Sequence, residues 1–305
     1  MTVRLGFQIP NFSYGTGVAE LFPTVVAQAQ EAEAAGFDAV FVMDHLYQLP
    51  MLGSPDQPML EAYTTLAALA TATARVQLGA LVTGNTYRNP TLLAKVITTL
   101  DVVSAGRAIL GIGTGWFELE HEQLGFEFGT FTDRFNRLDE SLQIILPMLK
   151  GERPTFSGTW YQAQEAMAEP RFRDHIPLLI GGSGEKKTIP LAAQHFDHLN
   201  IIAGFDELPA KVQAARQRCE ALDRDPKTLE TSMLLTVLLG DNVTADQIPA
   251  EMTQRTVIGS AESIAEQIKT KVLDVGIDGV IINMPVYTPG VITAVGAVLQ
   301  PLLDR

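Results

Sequence analysis

The chain is poor in several things, and each shortage removes a class of function. It has one cysteine, Cys219. A single thiol cannot close an intrachain disulfide or build a cysteine-based zinc site. Cys219 falls in a helical pattern with no histidine or electropositive motif beside it, so it reads as structurally inert. Basic residues are scarce: 22 Lys and Arg stand against 35 Asp and Glu, a formal net charge of −13. A duplex-binding surface needs the opposite balance, so nucleic acid is not an expected partner. No apolar run reaches the length of about 18 residues that a membrane-spanning helix requires. Met1 to Phe7 contain one basic residue and read directly as a strand, without the apolar stretch and cleavage site of an export signal. A cytoplasmic protein is the expectation.

What is present is a long alternation. The 305 residues are 46% apolar, enough for a sizeable core. Short apolar runs are predicted as strands over residues 3–9, 39–43, 76–82, 108–112, 177–180, 198–202, 231–239 and 279–283. Helical patterns lie between them, over 18–35, 61–74, 90–104, 133–149, 185–195, 208–222 and 260–275, and a last one covers 291–303. Their punctuation is regular: Gly36 follows the first helix as a C′ residue, Pro90 and Gly106 bracket the third, and Ser260 can cap the one it precedes. Eight strand–helix units without a break fit one domain, residues 1–305, folded as a (β/α)8 TIM barrel. A doubly wound open sheet is the rival arrangement. Residues 46–60 and 151–173 do not fit the alternation and read as insertions in loops.

In such a barrel the chemistry sits at the C-terminal strand ends. After the second strand come Asp44 and His45, a carboxylate beside a ring that can move protons near neutral pH. After the third comes a loop of amides and one arginine, Thr83 to Pro90, which includes Asn85. The fourth ends Gly111-Ile112-Gly113-Thr114-Gly115-Trp116, where alternate glycines let the backbone approach a neighbour closely and Trp116 can stack or plug. The fifth ends Gly181-Gly182-Ser183-Gly184 and opens into a helix, with Lys186 and Lys187 following. Free N–H groups at a helix start suit a phosphate. His195 and His198 have no further ligands near them in sequence, and no metal site is expected.

Taken in order, Asp44-His45, the run from Leu78 to Pro90, the run from Leu100 to Trp116, Arg134-Phe135 and Gly181 to Lys186 resemble the bacterial luciferase-like oxidoreductases, particularly their F420-dependent branch. The resemblance implies a barrel with insertions at its C-terminal face and a flat tricyclic cofactor, F420 with FMN as the alternative. It implies a non-proline cis peptide at Leu81–Val82 beneath the central ring. By the same resemblance His45 faces the reactive ring edge as acid or base, with Asp44 orienting it. Asn85 contacts polar cofactor atoms, Thr114, Gly115 and Trp116 line the ring, and Gly181, Gly182 and Ser183 hold the phosphate. The implied reaction is hydride transfer with a small organic substrate; the alternatives are a two-component FMN monooxygenase and a non-catalytic flavin-binding barrel. Relatives are often homodimers, which makes a homodimer the expectation here. Relatives acting on sugar phosphates have a glutamate where this chain has Trp116, so a more apolar pocket is expected, walled by Met43, Met51, Met59 and Trp116.

Overall fold

The computed structural model describes residues 3–240 and 250–303. Eight strands form the frame: β1 (Leu5–Ile9), β2 (Ala39–Val42), β3 (Gln77–Ala80), β4 (Ala108–Gly113), β5 (Leu178–Gly181), β6 (His198–Ile201), β7 (Glu230–Leu239) and β8 (Gly279–Asn283). Each pairs in parallel with the next, and β8 pairs with β1, which closes the barrel. The helices wrap the outside: α1 (Val18–Ala34), α2 (Ala62–Ala72), α3 (Pro90–Val103), α4 (Glu118–Leu124), α5 (Phe131–Leu149), α6 (Thr188–His195), α7 (Leu208–Glu220), α8 (Ala261–Ile268) and α9 (Val291–Leu303). None of the described helices is long and apolar enough to cross a membrane.

Strands covered on both faces are apolar almost throughout, because one side chain in two faces the helices and the other faces the barrel axis. The larger core therefore lies between strands and helices, and includes Phe7, Val40, Val42, Leu78, Leu110 and Ile180. A second, smaller core fills the barrel itself with Phe41, Ile109, Leu179, Leu234 and Ile281. Phe41 is the largest of these, and the neighbouring strands make room for it. Gly6 and Gly79 flank it, and a Cβ on Gly79 would sit 2.8 Å from the Ile109 carbonyl oxygen and 3.4 Å from the Phe41 ring.

The helix ends follow the local chemistry of the sequence. Asn89 caps α3 by accepting from Thr91 N, with Pro90 at the first helical position, and Ser260 caps α8 by accepting from Ser263 N. Gly36 has φ of +89° beyond α1, the left-handed conformation its C′ position needs. Some boundaries differ from expectation. The helix after β5 starts at Thr188, not Glu185, and α8 passes into a π-turn at Lys269–Leu273. Residues 118–124 form α4, which no apolar period announced. Residues Thr256–Gly259 form a further strand on the outer half of β7, which at ten residues outruns the barrel. The insertion at 151–173 contains a small antiparallel pair, Phe156–Ser157 with Gln162–Ala163.

At the N-terminal face one device recurs three times. Asp38, just before β2, accepts from the main-chain N–H of Arg4 and Leu5, at 3.0 and 2.9 Å. Asp197, before β6, accepts from Leu178 N at 2.8 Å. Asp278, before β8, accepts from Thr231 N at 2.9 Å. Each aspartate thus satisfies orphan donors at the start of the strand preceding it, which pins neighbouring strands in register. Asp38→Ala should cost about 1–3 kcal/mol, the toll of leaving such donors unmet. Thermal melts should show a midpoint lower by several degrees, and any ligand affinity at the far face should be unchanged. An unaltered melting point would show that water replaces the carboxylate at no cost.

Candidate active site

A cavity of about 400 Å³ opens at the C-terminal end of the barrel. All eight strands contribute to its wall, through Gln8 from β1, His45 after β2, Val82 after β3, Thr114 after β4, Gly182 after β5, Ile202 after β6, Leu234 from β7 and Asn283 from β8. The loop at 46–60 adds Leu49, Met51 and Leu52. Volume and position are those of a small-molecule or cofactor site.

The peptide bond Leu81–Val82 is cis, as the resemblance implied. Its surroundings are polar on one side and glycine-rich on the other. Gln8 Nε2 donates to Leu81 O at 3.1 Å, and Asn283 Nδ2 donates to Gln8 Oε1 at 3.1 Å. The Val82 side chain lies against strands that lack side chains at the contact. A Cβ on Gly113 would be 2.8 Å from Val82, and one on Gly181 would be 3.0 Å from it. The alternate glycines of β4 therefore admit the chain's own Val82, and a Cβ on Gly111 would also strike the Ala80 carbonyl oxygen at 2.1 Å.

His45 borders the cavity with its ring held at one edge. Its Nδ1 lies 3.0 Å from Glu120 Oε2, and Trp116 and Phe117 pack against it edge-on. Glu120 is fully buried on α4 and also accepts from Tyr47 N at 2.8 Å, from Leu46 N and from the Tyr87 hydroxyl. Burial alone would raise its pKa, but the His45 contact, the Tyr87 hydroxyl and the Tyr47 N–H together hold it below the usual carboxylate range. Tyr87 moves the other way: burial and the adjoining Glu120 charge keep its hydroxyl protonated, as a donor. An ionised Glu120 can only accept, so Nδ1 is the donor of the His45–Glu120 bond.

This corrects the role expected of Asp44. Asp44 is buried, but it forms a two-pronged pair with Arg88, at 2.7 and 2.9 Å, and accepts from Gly84 N at 2.9 Å. Arg88 also pairs with Glu61 at 2.6 Å. Asp44 therefore fixes the loop after β3, and Glu120 orients His45. The distinction follows from geometry: adjacent side chains at a strand end diverge, so His45 finds its carboxylate 75 residues away.

The remaining expectations divide. Leu81, Val82, Thr114, Gly115, Trp116, Gly181 and Gly182 all line the cavity. Ser183 stands beside Gly182 just outside the wall, half-buried. Asn85 lies buried outside the wall, and its Nδ2 has no partner among the described residues. Met43 and Met51 line the cavity, whereas Met59 packs behind the wall against the core. Lys186 and Lys187 are exposed and border a separate surface groove beside Trp160, so they add no charge to the cavity. His121, also on α4, donates from Nδ1 to Phe117 O and so accepts from Thr86 Oγ1 at Nε2, and burial keeps it neutral. Neither Glu120 nor His121 was marked by sequence reasoning. Gly125, left-handed at φ of +75° after the helix, was the available signal for α4.

Among the cavity residues Asn283 holds an unmet acceptor: its Oδ1 is buried without a partner among the described residues. A heterocycle with ring N–H groups fits that acceptor, and Val82 lines the cavity as an apolar contact. Among the described residues no group of three or more His, Cys, Asp or Glu is placed to hold a metal.

Comparison with known proteins agrees with this architecture. Residues 3–245 match the model of the luciferase-like monooxygenase family. The chain belongs to that family. It is 32% identical over 298 residues to an F420-dependent hydroxymycolic acid dehydrogenase of Mycobacterium tuberculosis, covering 94% of this chain and 81% of the relative. It is 38% identical over 189 residues to an F420-dependent glucose-6-phosphate dehydrogenase of Microbacterium testaceum, covering 62% of this chain and 54% of the relative. With the glucose-6-phosphate dehydrogenases the match thus spans about half of their length. Among solved structures, an F420-dependent secondary alcohol dehydrogenase bound to an F420–acetone adduct superposes with a TM-score of 0.84 at 19% identity, over 100% of both chains. A long-chain alkane monooxygenase superposes with a TM-score of 0.82 at 16% identity, over 100% of this chain and 92% of that one. At such identities these two structures bear on the fold alone.

The Glu120 hub makes stability depend on pH. A carboxyl whose folded pKa is depressed contributes stability above its unfolded pKa, and that stability is lost as pH falls through the folded value. Wild-type melting temperature should therefore drop on acidification below the usual carboxylate range. Glu120→Gln should start lower at neutral pH and change less across that window. Parallel curves for the two proteins would mean that the carboxylate is not the titrating support.

Proposed function

We propose that this family member is an F420-dependent oxidoreductase that moves a hydride between the deazaflavin and a small organic substrate. The observation that carries the reading is His45, clamped through Nδ1 by a buried ionised Glu120 at the wall of a mostly apolar cavity. The two curated relatives described above are named as F420-dependent dehydrogenases, which supports the choice of cofactor.

When bound, the deazaflavin supplies a ring carbon that accepts or releases hydride. The chain's residues would hold it from several sides. Asn283 Oδ1 would offer an acceptor to ring N–H groups, and Val82 would give the ring an apolar contact. Asn85 Nδ2 has no partner among the described residues, and the end of β5 at Gly181 and Gly182, with Ser183 beside it, would be the place for the cofactor phosphate. His45 Nε2 then takes the proton from a substrate hydroxyl, or returns one to a carbonyl oxygen, through the same nitrogen in either direction. Leu49, Met51, Leu52 and Trp116 exclude water from that exchange. The same apolar wall favours a substrate with a hydrocarbon body over a polyhydroxylated sugar.

Two measurements test this reading. Fluorescence titration of the purified protein should show saturable F420 binding and weaker FMN binding; a preference for FMN would move the protein to the two-component monooxygenases. His45→Ala should lower turnover by about 10²–10⁴, the usual worth of a positioned acid–base group. Its F420 affinity should remain within a few-fold of wild type, and undiminished turnover would remove His45 from the mechanism.

A further inference from the structure

Tyr87 lines the cavity, but its polar end is turned into the support of His45. The hydroxyl donates to Glu120 Oε2. That is the same oxygen to which His45 Nδ1 donates at 3.0 Å. The other oxygen, Oε1, is taken by the main-chain N–H groups of Leu46 and Tyr47. A carboxylate offers about four lone-pair sites, so the shell of Glu120 is full. The tyrosine and the histidine therefore divide one oxygen between them.

The tyrosine is built into that place. Its ring lies 4.8 Å from the His121 ring and 5.2 Å from the Phe126 ring. Gly84 leaves it room, since a Cβ there would sit 2.8 Å from the Tyr87 ring. The preceding residue, Thr86, bonds His121 through Oγ1 at 2.7 Å. Two neighbouring residues of the loop after β3 thus dock on α4, and the hydroxyl is fixed by packing on both sides.

A buried carboxylate beside an imidazole favours the charged ring. A second donor on the same oxygen draws off part of that attraction. We infer that Tyr87 is a positioning residue of the site, and that by sharing Glu120 Oε2 it sets how readily His45 takes up and gives back a proton. The hydroxyl can do this only as a donor, and burial beside the Glu120 charge keeps its proton in place. The other groups on this side of the cavity have their own tasks. Asp44 is held by Arg88, which also pairs with Glu61, and Tyr47 meets Glu120 through its main chain. His121 is kept neutral by burial, with Arg134 and Arg137 acting on it in the same direction. Arg255 lines the cavity from the segment that pairs with β7. All of these persist when only the Tyr87 hydroxyl is removed. The inference rests on the oxidoreductase reading for its purpose, because a group that exchanges protons in both directions works best with a balanced proton affinity. The shared oxygen itself does not depend on that reading.

The test is imidazole NMR of the full chain across pH, without cofactor. The chain has five histidines, and the His45 signal is the one lost in His45→Gln. Tyr87→Phe keeps the ring and removes the hydroxyl. Its His45 titration midpoint should rise by about one unit, a tenfold gain in proton affinity. His175, which meets Asp197 at the opposite face of the barrel, should not move. Fluorination of the tyrosines of the wild-type chain at ring position 3 makes the phenol a stronger donor without deleting it. That protein should show a lower His45 midpoint, and it supplies the test even if Tyr87→Phe does not fold. A midpoint that stays put in either folded protein, or moves the opposite way, would overturn the inference. F420 titration of wild type separates the two readings. If F420 does not bind and the midpoints still diverge, the cofactor reading falls and the role of Tyr87 stands; if F420 binds and the midpoints do not move, the role of Tyr87 falls alone.

Discussion

Glu120 is a carboxylate taken fully out of water and then given four donors: the His45 ring, the Tyr87 hydroxyl, and the Leu46 and Tyr47 main-chain N–H groups. A buried charge is tolerable only when it is met in this way. The consequence is structural as well as chemical. Three of the donors belong to the chain leaving β2, the fourth to the loop leaving β3, and the acceptor to α4 after β4. One charge therefore draws together the exits of three consecutive strands. The loop from Leu46 onward, which supplies Leu49, Met51 and Leu52 to the cavity, begins at this anchor.

Beside it stands a second charged cluster with a different task. Asp44, Arg88 and Glu61 form a partly buried network, with Arg88 also lying 4.8 Å over the Tyr63 ring. Asp44 additionally accepts from Gly84 N, so this cluster sets where the chain goes immediately after Val82. The two clusters divide the labour: one fixes the His45 ring at the cavity wall, the other holds the chain that carries Val82. Glycines at 113 and 181 leave Val82 unobstructed.

The barrel was legible because its signals are local and repeated. Short apolar strands, capped helices and a glycine or proline at the boundaries recur along the chain, and local chemistry decides them. Most of the cavity lining was legible for a related reason: once the strands are known, the residues at their C-terminal ends are known too. His45, Thr114, Trp116, Gly181 and Gly182 are all of this kind. Asn85 and Ser183 do not line the cavity; Asn85 is buried and Ser183 follows Gly182, which does.

What the sequence by itself determined is the alternation, the closure it implies and the strand ends where chemistry gathers, because these depend on neighbours within a few residues. What only the tertiary structure decided is which charge meets which. Asp44 lies next to His45 in the chain yet is claimed by Arg88, while Glu120, in an unremarkable acidic stretch, is brought to His45 across 75 residues. Electrostatic partnership is set by distance in space, to which chain order is only a weak guide.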